Sequence, residues 1–280
     1  MPRTVWYPGH MARGGRELAE LAKRLDLIVE VRDARAPFST SSPLSASLAA
    51  RLPILRVLSK ADLADPEATQ AWTVALGEGT WALDLRARGG VGQLRKALLA
   101  RRPAHRELRL AVMGIPNVGK SMLLNALIAR SRAQVGGVPG VTRSVGWHRG
   151  EGLLIVDSPG ILDPHAAPGA HLALSWLGCA KADVLGGSEA AATELIRFLR
   201  ARGLLSRMLR KWDVEEADGE DPSTTLERVG RRLGRLVAGG AVDMELAGRS
   251  LVDAFSTGRL GPVTLELPGG PSALDGTGDV

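Results

Sequence analysis

The chain has 280 residues, of which 45% are hydrophobic, and its mean hydropathy of +0.02 is that of an ordinary soluble globular protein. It contains no run of 18 apolar residues, which excludes a membrane-spanning helix, and residues 1–11 lack the apolar core of a secretory signal. The lone Cys179 excludes an internal disulfide and a cysteine-rich zinc site, so we expect a protein of the reducing cytoplasm. The net charge of +6 favours a polyanionic partner without identifying it.

Strand and helix patterns alternate through the first 185 residues. Apolar runs predict strands at 25–31, 53–58, 80–85, 108–113, 145–149 and 153–156, and helical patterns occupy 11–24, 44–51, 66–76, 91–101 and 122–129. This alternation predicts an α/β domain over residues 1–185 with a doubly wound, mostly parallel sheet. Ligands of such sheets bind beyond the carboxyl ends of the strands, and the motifs below follow such ends.

The second part of the chain has a different texture. After a further helical stretch at about 171–182, helical patterns occupy 190–202, 204–211, 225–238 and 244–256, with an acidic loop at 215–221 and no convincing strand. We therefore expect a small all-helical domain over residues 186–267. Residues 268–280 are rich in glycine and proline, which predicts a disordered tail.

A phosphate-binding loop lies at residues 114–121, between a predicted strand and a predicted helix. Gly114 and Gly119 stand at the spacing of a P-loop, and the second glycine is followed by Lys120 and Ser121. The backbone N–H groups of such a loop bind phosphates, while Lys120 reaches the β- and γ-phosphates and Ser121 binds magnesium. A chance Gly-Lys-Ser at a helix start is the alternative, and the flanking strand and helix argue against it. The residues expected to contact the nucleotide are Asn117, Val118, Gly119, Lys120, Ser121 and Met122.

Two further elements are expected around the triphosphate. Asp157 and Gly160 form an Asp-x-x-Gly motif after a strand, where the aspartate holds magnesium through water and the glycine N–H contacts the γ-phosphate. Thr142, in the glycine-rich segment between the two motifs, is expected to complete the magnesium shell when the γ-phosphate is present. Alone, the first motif would be a plain turn at the end of a strand, and a single threonine is weak evidence.

The segment Ser59-Lys60-Ala61-Asp62 resembles the guanine-recognition motif of GTPases, Asn-Lys-x-Asp. The Asp62 carboxylate would accept hydrogen bonds from the N1–H and N2–H₂ groups that guanine has and adenine lacks, and the Lys60 stem would cover the base. Ser59 departs from the usual asparagine, so we expect weaker guanine affinity. Asp84 and Leu85 follow the next strand and are expected to touch the guanine through their backbone. A surface turn after a buried strand is the alternative interpretation.

The order of these motifs is unusual, because the guanine motif precedes the phosphate loop. In this the chain resembles the circularly permuted GTPases, and among them the RbgA/YlqF family of ribosome-assembly GTPases. The matching segments are Trp6 to Met11, Asp33-Ala34-Arg35, 114–121, 139–142, 157–160, Gly239-Gly240 and 258–261. The resemblance implies a GTPase, binding GTP or GDP with magnesium, that acts late in maturation of the large ribosomal subunit. It also implies a helical domain that contacts ribosomal RNA, and we expect a monomer away from the ribosome.

The residues that would assist hydrolysis are less usual. Ile161 occupies the position where many GTPases place a water-orienting glutamine, and the family shares this hydrophobic substitution. The resemblance points instead to His10 as the group that positions the water. His10 as an anchor of the N-terminal loop, or as an RNA contact, remains the alternative. Related GTPases bind potassium through an asparagine at the position of Asn117, whereas a loop-shaping asparagine is the alternative there.

Arginines cluster in the predicted helical domain, and such a cluster is typical of a surface that binds a phosphate backbone. The alternative is a solvated helix face. The residues proposed to bind RNA are Arg197, Arg200, Arg207, Arg210, Lys211, Arg228, Arg231, Arg232 and Arg235.

Two other functions and another RNA partner remain open from the residues alone. Ser59 and the Asp84-Leu85 pair leave room for an RNA-binding assembly factor whose nucleotide site binds GTP but barely turns it over. An ATPase is a weaker alternative. The RNA partner could instead be small-subunit or transfer RNA.

Overall fold

The computed structural model describes residues 20–87, 89–128, 146–158, 160–162, 168–182, 186–217 and 219–270. These form two compact units. The first unit takes the described residues of 1–166 together with those of 263–276, and the second takes those of 167–262. Within the described ranges, no helix is long and apolar enough to cross a bilayer.

The first unit is built on a sheet of six strands in the order β3-β2-β1-β4-β6-β5, counted over the described residues. Only β5 runs antiparallel to its neighbour, which confirms the predicted mostly parallel sheet. The strands are β1 Leu27–Asp33, β2 Ile54–Ser59, β3 Thr80–Leu83, β4 Leu108–Met113, β5 Gly146–Gly150 and β6 Leu153–Asp157. The strand that carries the guanine motif, β2, thus precedes the phosphate-loop strand β4 in the chain, which is the order expected of a circularly permuted GTPase fold.

Helices pack on both faces of this sheet. The helices of the first unit are α1 Pro43–Leu48, α2 Pro66–Leu76, α3 Gly92–Ala100 and α4 Lys120–Ile128. On one face, Leu48 of α1 packs with Ile28 and Val156. A Cβ added to Gly150 would project from the sheet face opposite to that of Val156. It would lie 3.6 Å from the Leu127 carbonyl oxygen, so α4 covers this second face.

The second unit is helical in its described part, as predicted. Its helices are α5 Pro168–Trp176, α6 Ser188–Ala201, α7 Leu205–Leu209, α8 Pro222–Arg232 and α9 Met244–Ser256. The Trp176 indole donates to the Ala191 carbonyl at 2.8 Å, and its ring lies 5.2 Å from that of Phe198. These contacts join α5 to α6, so α5 belongs to the second unit. That unit therefore begins at residue 167, earlier than the boundary at residue 186 that the sequence suggested. At its other end, the segment from Val263 onward belongs to the first unit rather than to the helical one.

Helix α8 ends at Arg232, six residues before the end that the sequence suggested. Gly234 has φ of 66°, and the Arg235 N–H closes the helix by donating to the Gly230 carbonyl at 2.8 Å. A narrow hairpin follows, with a bridge between Leu236 and Val242. Arg235 therefore lies beyond the helix instead of on one helical face with Arg228, Arg231 and Arg232.

Candidate nucleotide-binding site

The phosphate loop connects β4 to α4 with the geometry that its glycines require. Gly114 has φ of 152°, and a Cβ at this position would lie 2.5 Å from the Val31 carbonyl oxygen, so no larger residue fits. Gly119 has φ of 102°. The side chain of Lys120 is nearly buried, and its Nζ donates to the Ile115 carbonyl within the loop at 2.7 Å. An N-terminus of α4 with these features is suited to binding an anion.

The Asp-x-x-Gly motif lies beside this loop. Asp157 is the last residue of β6, pairs in register with Val112 of β4 and is buried. A Cβ on Gly160 would lie 2.6 Å from the Pro116 nitrogen and 3.0 Å from Lys120 Nζ, so the glycine packs directly on the phosphate loop. Ile161 is only 7% exposed, and its aliphatic side chain has no polar group to offer an attacking water.

Ser59 connects the guanine motif to the phosphate loop. Its buried hydroxyl lies 2.5 Å from the Val118 carbonyl and 3.0 Å from the Arg32 carbonyl. The hydroxyl therefore supplies a hydrogen-bond donor from the end of β2 to the residue that precedes Gly119. The predicted loss of guanine affinity from the missing asparagine remains a prediction, but the donor part of that side chain has a replacement here.

Lys60 is held by a buried carboxylate that the sequence did not single out for this role. Lys60 adopts a left-handed conformation, with φ of 56°, and its Nζ lies 2.9 Å from Asp33 Oδ2. Asp33 also accepts hydrogen bonds from Arg35 Nε and Nη2 at 2.9 and 2.8 Å. Burial by itself would raise the pKa of Asp33, but the two cations and their hydrogen bonds lower it to about 2. From the sequence, Asp33 and Arg35 were recognised only as part of the family resemblance, because the contact between Asp33 and Lys60 depends on the register of β1 and β2.

Asp62 and the segment after β3 complete the base side of the site. Asp62 is exposed in a short 3₁₀ turn, Ala61–Leu63, so its carboxylate is open to a ligand. A Cβ on Gly119 would lie 3.2 Å from Leu85 Cδ1, so Leu85 lies against the phosphate loop, while its backbone contact with guanine stays a prediction. The Asp84 carboxylate accepts from the backbone N–H of Arg86 at 2.8 Å and so shapes the turn.

The remaining predicted site residues divide into two groups. His10 and Thr142 lie outside the described residues. Asn117 is exposed with φ of 59°, a conformation that asparagine tolerates, and Met122 is also exposed. The potassium site at Asn117 stays a prediction. No cluster of three or more His, Cys, Asp or Glu residues suited to a metal occurs in the described part of the chain.

The arginines of the second unit fall into paired and exposed groups. Arg200 donates to Glu216 at 2.8 Å, to the Glu220 carbonyl at 2.6 Å and to Thr225 at 3.0 Å, so its guanidinium holds the acidic loop to α8. The ion pairs on other candidates are Arg228 with Glu220, Arg197 with Glu194 and Arg231 with Glu227. Arg207 donates to the Pro262 carbonyl at 3.1 Å and Arg235 to Ser250 at 3.0 Å, while Arg210, Lys211 and Arg232 are exposed.

Comparison with known proteins gives a consistent set of relatives. Residues 109–187 match the family model described as 50S ribosome-binding GTPase. Proteins named Ribosome biogenesis GTPase A from Bacillus cereus and Thermotoga maritima are each 32% identical to the chain, over 94% of it and over 93% and 94% of their own lengths. Mitochondrial ribosome-associated GTPase 1 of Bos taurus is 32% identical over 93% of the chain and 88% of its own length.

Solved structures agree with these relatives. The structure of GNP-bound YlqF from T. maritima aligns with a TM-score of 0.63 and 25% identity, over 91% of this chain and 98% of that one. A GDP-bound YlqF structure aligns with the same TM-score and 27% identity, over 91% of this chain and all of that one. The likeness thus covers both units, and the two aligned structures are of YlqF with GNP and with GDP bound.

Proposed function

The chain belongs to the ribosome biogenesis GTPase A family, and on that premise we propose that it hydrolyses GTP to drive late maturation of the large ribosomal subunit, contacting ribosomal RNA. The observation that carries the guanine part of this proposal is the Ser59 hydrogen bond to Val118, which joins the guanine motif to the phosphate loop at one edge of the sheet. The relatives' names refer to ribosome biogenesis and the description of the matching family model refers to 50S ribosome binding, and both support the ribosomal part.

The phosphate side of the site is suited to GTP and magnesium. On binding, Lys120 would exchange its bond with the Ile115 carbonyl for phosphate oxygens, and the N–H groups of the α4 N-terminus would bind the same phosphates. Ser121 in the first turn of α4 and the buried Asp157 at the end of β6 would hold a magnesium ion, Asp157 through water, and Thr142 would complete the shell. Such an ion would supply positive charge to the phosphates during transfer.

Hydrolysis needs help from outside the described site, because Ile161 is apolar and buried. We assign the positioning of the attacking water to His10, and the neutralisation of charge between the β- and γ-phosphates to a potassium ion at Asn117. The potassium assignment predicts faster hydrolysis in potassium than in sodium, and the His10 assignment predicts slower hydrolysis in His10→Ala.

The RNA-binding surface that we propose lies on the second unit. Exposed or weakly held cations carry it, since the part-buried Arg200 and Arg228 are held by Glu216 and Glu220, whereas the pairs of Arg197 and Arg231 are exposed and weak. The residues assigned to phosphate contacts are Arg197, Arg207, Arg210, Lys211, Arg231, Arg232 and Arg235. Crosslinking in cells tests this surface: adducts to large-subunit RNA support it, and adducts mainly to small-subunit or transfer RNA would overturn the choice of partner.

The assignment of guanine recognition to Asp62 has a direct test. In the Asp62→Asn variant the amide no longer accepts two hydrogen bonds from guanine, but its NH₂ group can donate to the 2-oxo group of xanthine. We expect GTP affinity to fall and xanthosine triphosphate affinity to rise, measured by competition against a fluorescent nucleotide. Glu67→Gln, which removes an exposed carboxylate on α2, should leave both affinities unchanged. An unchanged base preference in Asp62→Asn would reject the assignment and reopen the ATPase alternative.

A further inference from the structure

The segment 263–267 returns to the first unit after the helical unit, and we call it the C-terminal strap. Its backbone is fixed to two loops of the first unit. The Val263 N–H donates to the Leu63 carbonyl at 2.9 Å, and the Leu265 N–H donates to the Arg35 carbonyl at 2.7 Å. The strap thus bonds to loops that follow β1 and β2.

A buried carboxylate anchors the strap. Glu266 is 2% exposed, and its carboxylate accepts hydrogen bonds from the backbone N–H groups of Phe38 and Ser39, at 2.8 and 3.1 Å, and from the Ser39 hydroxyl. Its carbonyl accepts from the Trp72 indole at 2.8 Å. A carboxylate this deeply buried is costly unless its donors stay in place, and burial raises the pKa of Glu266 against the lowering effect of those donors. The strap and the loop that holds it therefore form one cooperative unit.

Both loops that the strap holds lead directly to the guanine motif. Leu63 ends the turn that carries Asp62. The Arg35 guanidinium donates hydrogen bonds to Asp33, and Asp33 forms an ion pair with Lys60. The strap itself contributes no residue of a nucleotide motif, yet the bonds of its Val263 and Leu265 N–H groups each lie one or two contacts from a side chain assigned to the base.

We propose that the C-terminal strap is a positioning element of the guanine site: docked, it holds Lys60 and Asp62 in the geometry that binds the base, and its undocking speeds nucleotide release. The proposal rests on the function proposed above for Asp62. Because the strap directly follows Pro262, whose carbonyl accepts from Arg207 in the helical unit, it is also the covalent route from that unit to the base. By linkage, the factor by which docking raises nucleotide affinity is also the factor by which bound nucleotide favours the docked strap.

The first test compares two matched substitutions in the full-length protein. Glu266→Gln and Glu245→Gln each change a carboxylate that accepts two backbone N–H groups, since Glu245 receives those of Ser188 and Glu189 at the start of α6. We expect a fluorescent GDP analogue to dissociate roughly tenfold faster from Glu266→Gln, the size expected when charge-assisted hydrogen bonds are lost. Dissociation from Glu245→Gln should match the wild type. Equal rates for Glu266→Gln and the wild type would overturn the proposal.

The second test needs no substitution and separates positioning from mere stability. Hydrogen exchange at the amides of Val263, Leu265 and Phe38 should slow when GDP is added, because nucleotide and docking are linked. Amides of α9 in the other unit give the reference. Strap exchange that is unaffected by GDP would contradict the proposal even if Glu266→Gln does not fold.

The Asp62→Asn variant distinguishes failure of the strap proposal from failure of the proposed function. If Asp62→Asn changes the base preference and Glu266→Gln leaves GDP release unchanged, the strap proposal fails alone. If Asp62→Asn has no effect on base preference, the proposed guanine contact fails, and the strap proposal, whose route runs through Asp62, falls with it.

Discussion

At the scale of single residues, Asp33 controls the electrostatics of the guanine motif. Replacement by asparagine leaves Arg35 buried without its carboxylate, so we expect the free energy of unfolding to fall by about 3–5 kcal/mol, measured by denaturant titration. The pKa of Asp33 is lowered from 3.8 to about 2, so its stabilising effect is present above pH 3.8 and is lost as the pH falls from there through 2. The variant should lack this acid-sensitive step.

A surface ion pair provides the comparison. Asp253 pairs with Arg259, and both side chains are exposed. Asp253→Asn should therefore change the free energy of unfolding by no more than about 1 kcal/mol. Similar losses in the two variants would show that the buried pairing of Asp33 has no special weight.

Ser59 makes a second prediction at this scale. In Ser59→Ala the Val118 carbonyl loses its 2.5 Å donor, so the phosphate loop is less firmly held and GDP affinity should fall roughly tenfold, measured by equilibrium fluorescence titration. Ser47→Ala removes an exposed hydroxyl on α1 and serves as the control. Unaltered GDP affinity in Ser59→Ala would mean that this hydroxyl does not take the place of the missing asparagine.

The motif residues were predictable from sequence because their function depends on local spacing. Gly114, Gly119 and Lys120 need only one turn of chain to form a phosphate loop. The contacts of Ser59 and Asp33 were not predictable, because they arise from strand register and from a loop about sixty residues away in the chain.

At the scale of elements, the crossing of α9 and α6 depends on a glycine. A Cβ on Gly248 would lie 2.4 Å from the Ser188 carbonyl oxygen, so Gly248→Ala should force the helices apart and lower the free energy of unfolding of the helical unit by about 1–3 kcal/mol. Thermal denaturation followed by circular dichroism measures this loss. Gly92→Ala, at the start of α3 and with no neighbour within 4 Å, should cost nothing. Equal melting of Gly248→Ala and the wild type would contradict the close crossing.

Strands and amphipathic helices of the two units followed from periodicity, and α9 was predicted with its observed ends. The end of α8 was predicted too late because the helical pattern continues through Leu233 and Leu236, although Gly234 already supplies the left-handed residue that closes the helix. The C-terminal strap escaped prediction altogether. It has no periodic pattern, and Glu266 bonds to a loop 228 residues earlier in the chain.

At the scale of the whole molecule, the permutation determines the order in which the chain passes through its two units. The chain enters the helical unit after the Asp-x-x-Gly motif and returns from it to the loops of the guanine motif. The helical unit is thus covalently joined to the segment after the Asp-x-x-Gly motif at one end and to the C-terminal strap at the other. Such a path suits a switch in which a target bound by the helical unit and a nucleotide bound by the sheet influence each other.

The proposed function requires this site to hydrolyse GTP in response to the large ribosomal subunit. Single-turnover hydrolysis of radiolabelled GTP is the decisive measurement, made with and without purified large subunits and in potassium or sodium. We expect slow hydrolysis by the protein alone and at least a tenfold (about 1.4 kcal/mol) acceleration by large subunits in potassium. Hydrolysis that large subunits leave unchanged would contradict the account, and no hydrolysis under any condition would leave only a nucleotide- and RNA-binding assembly factor.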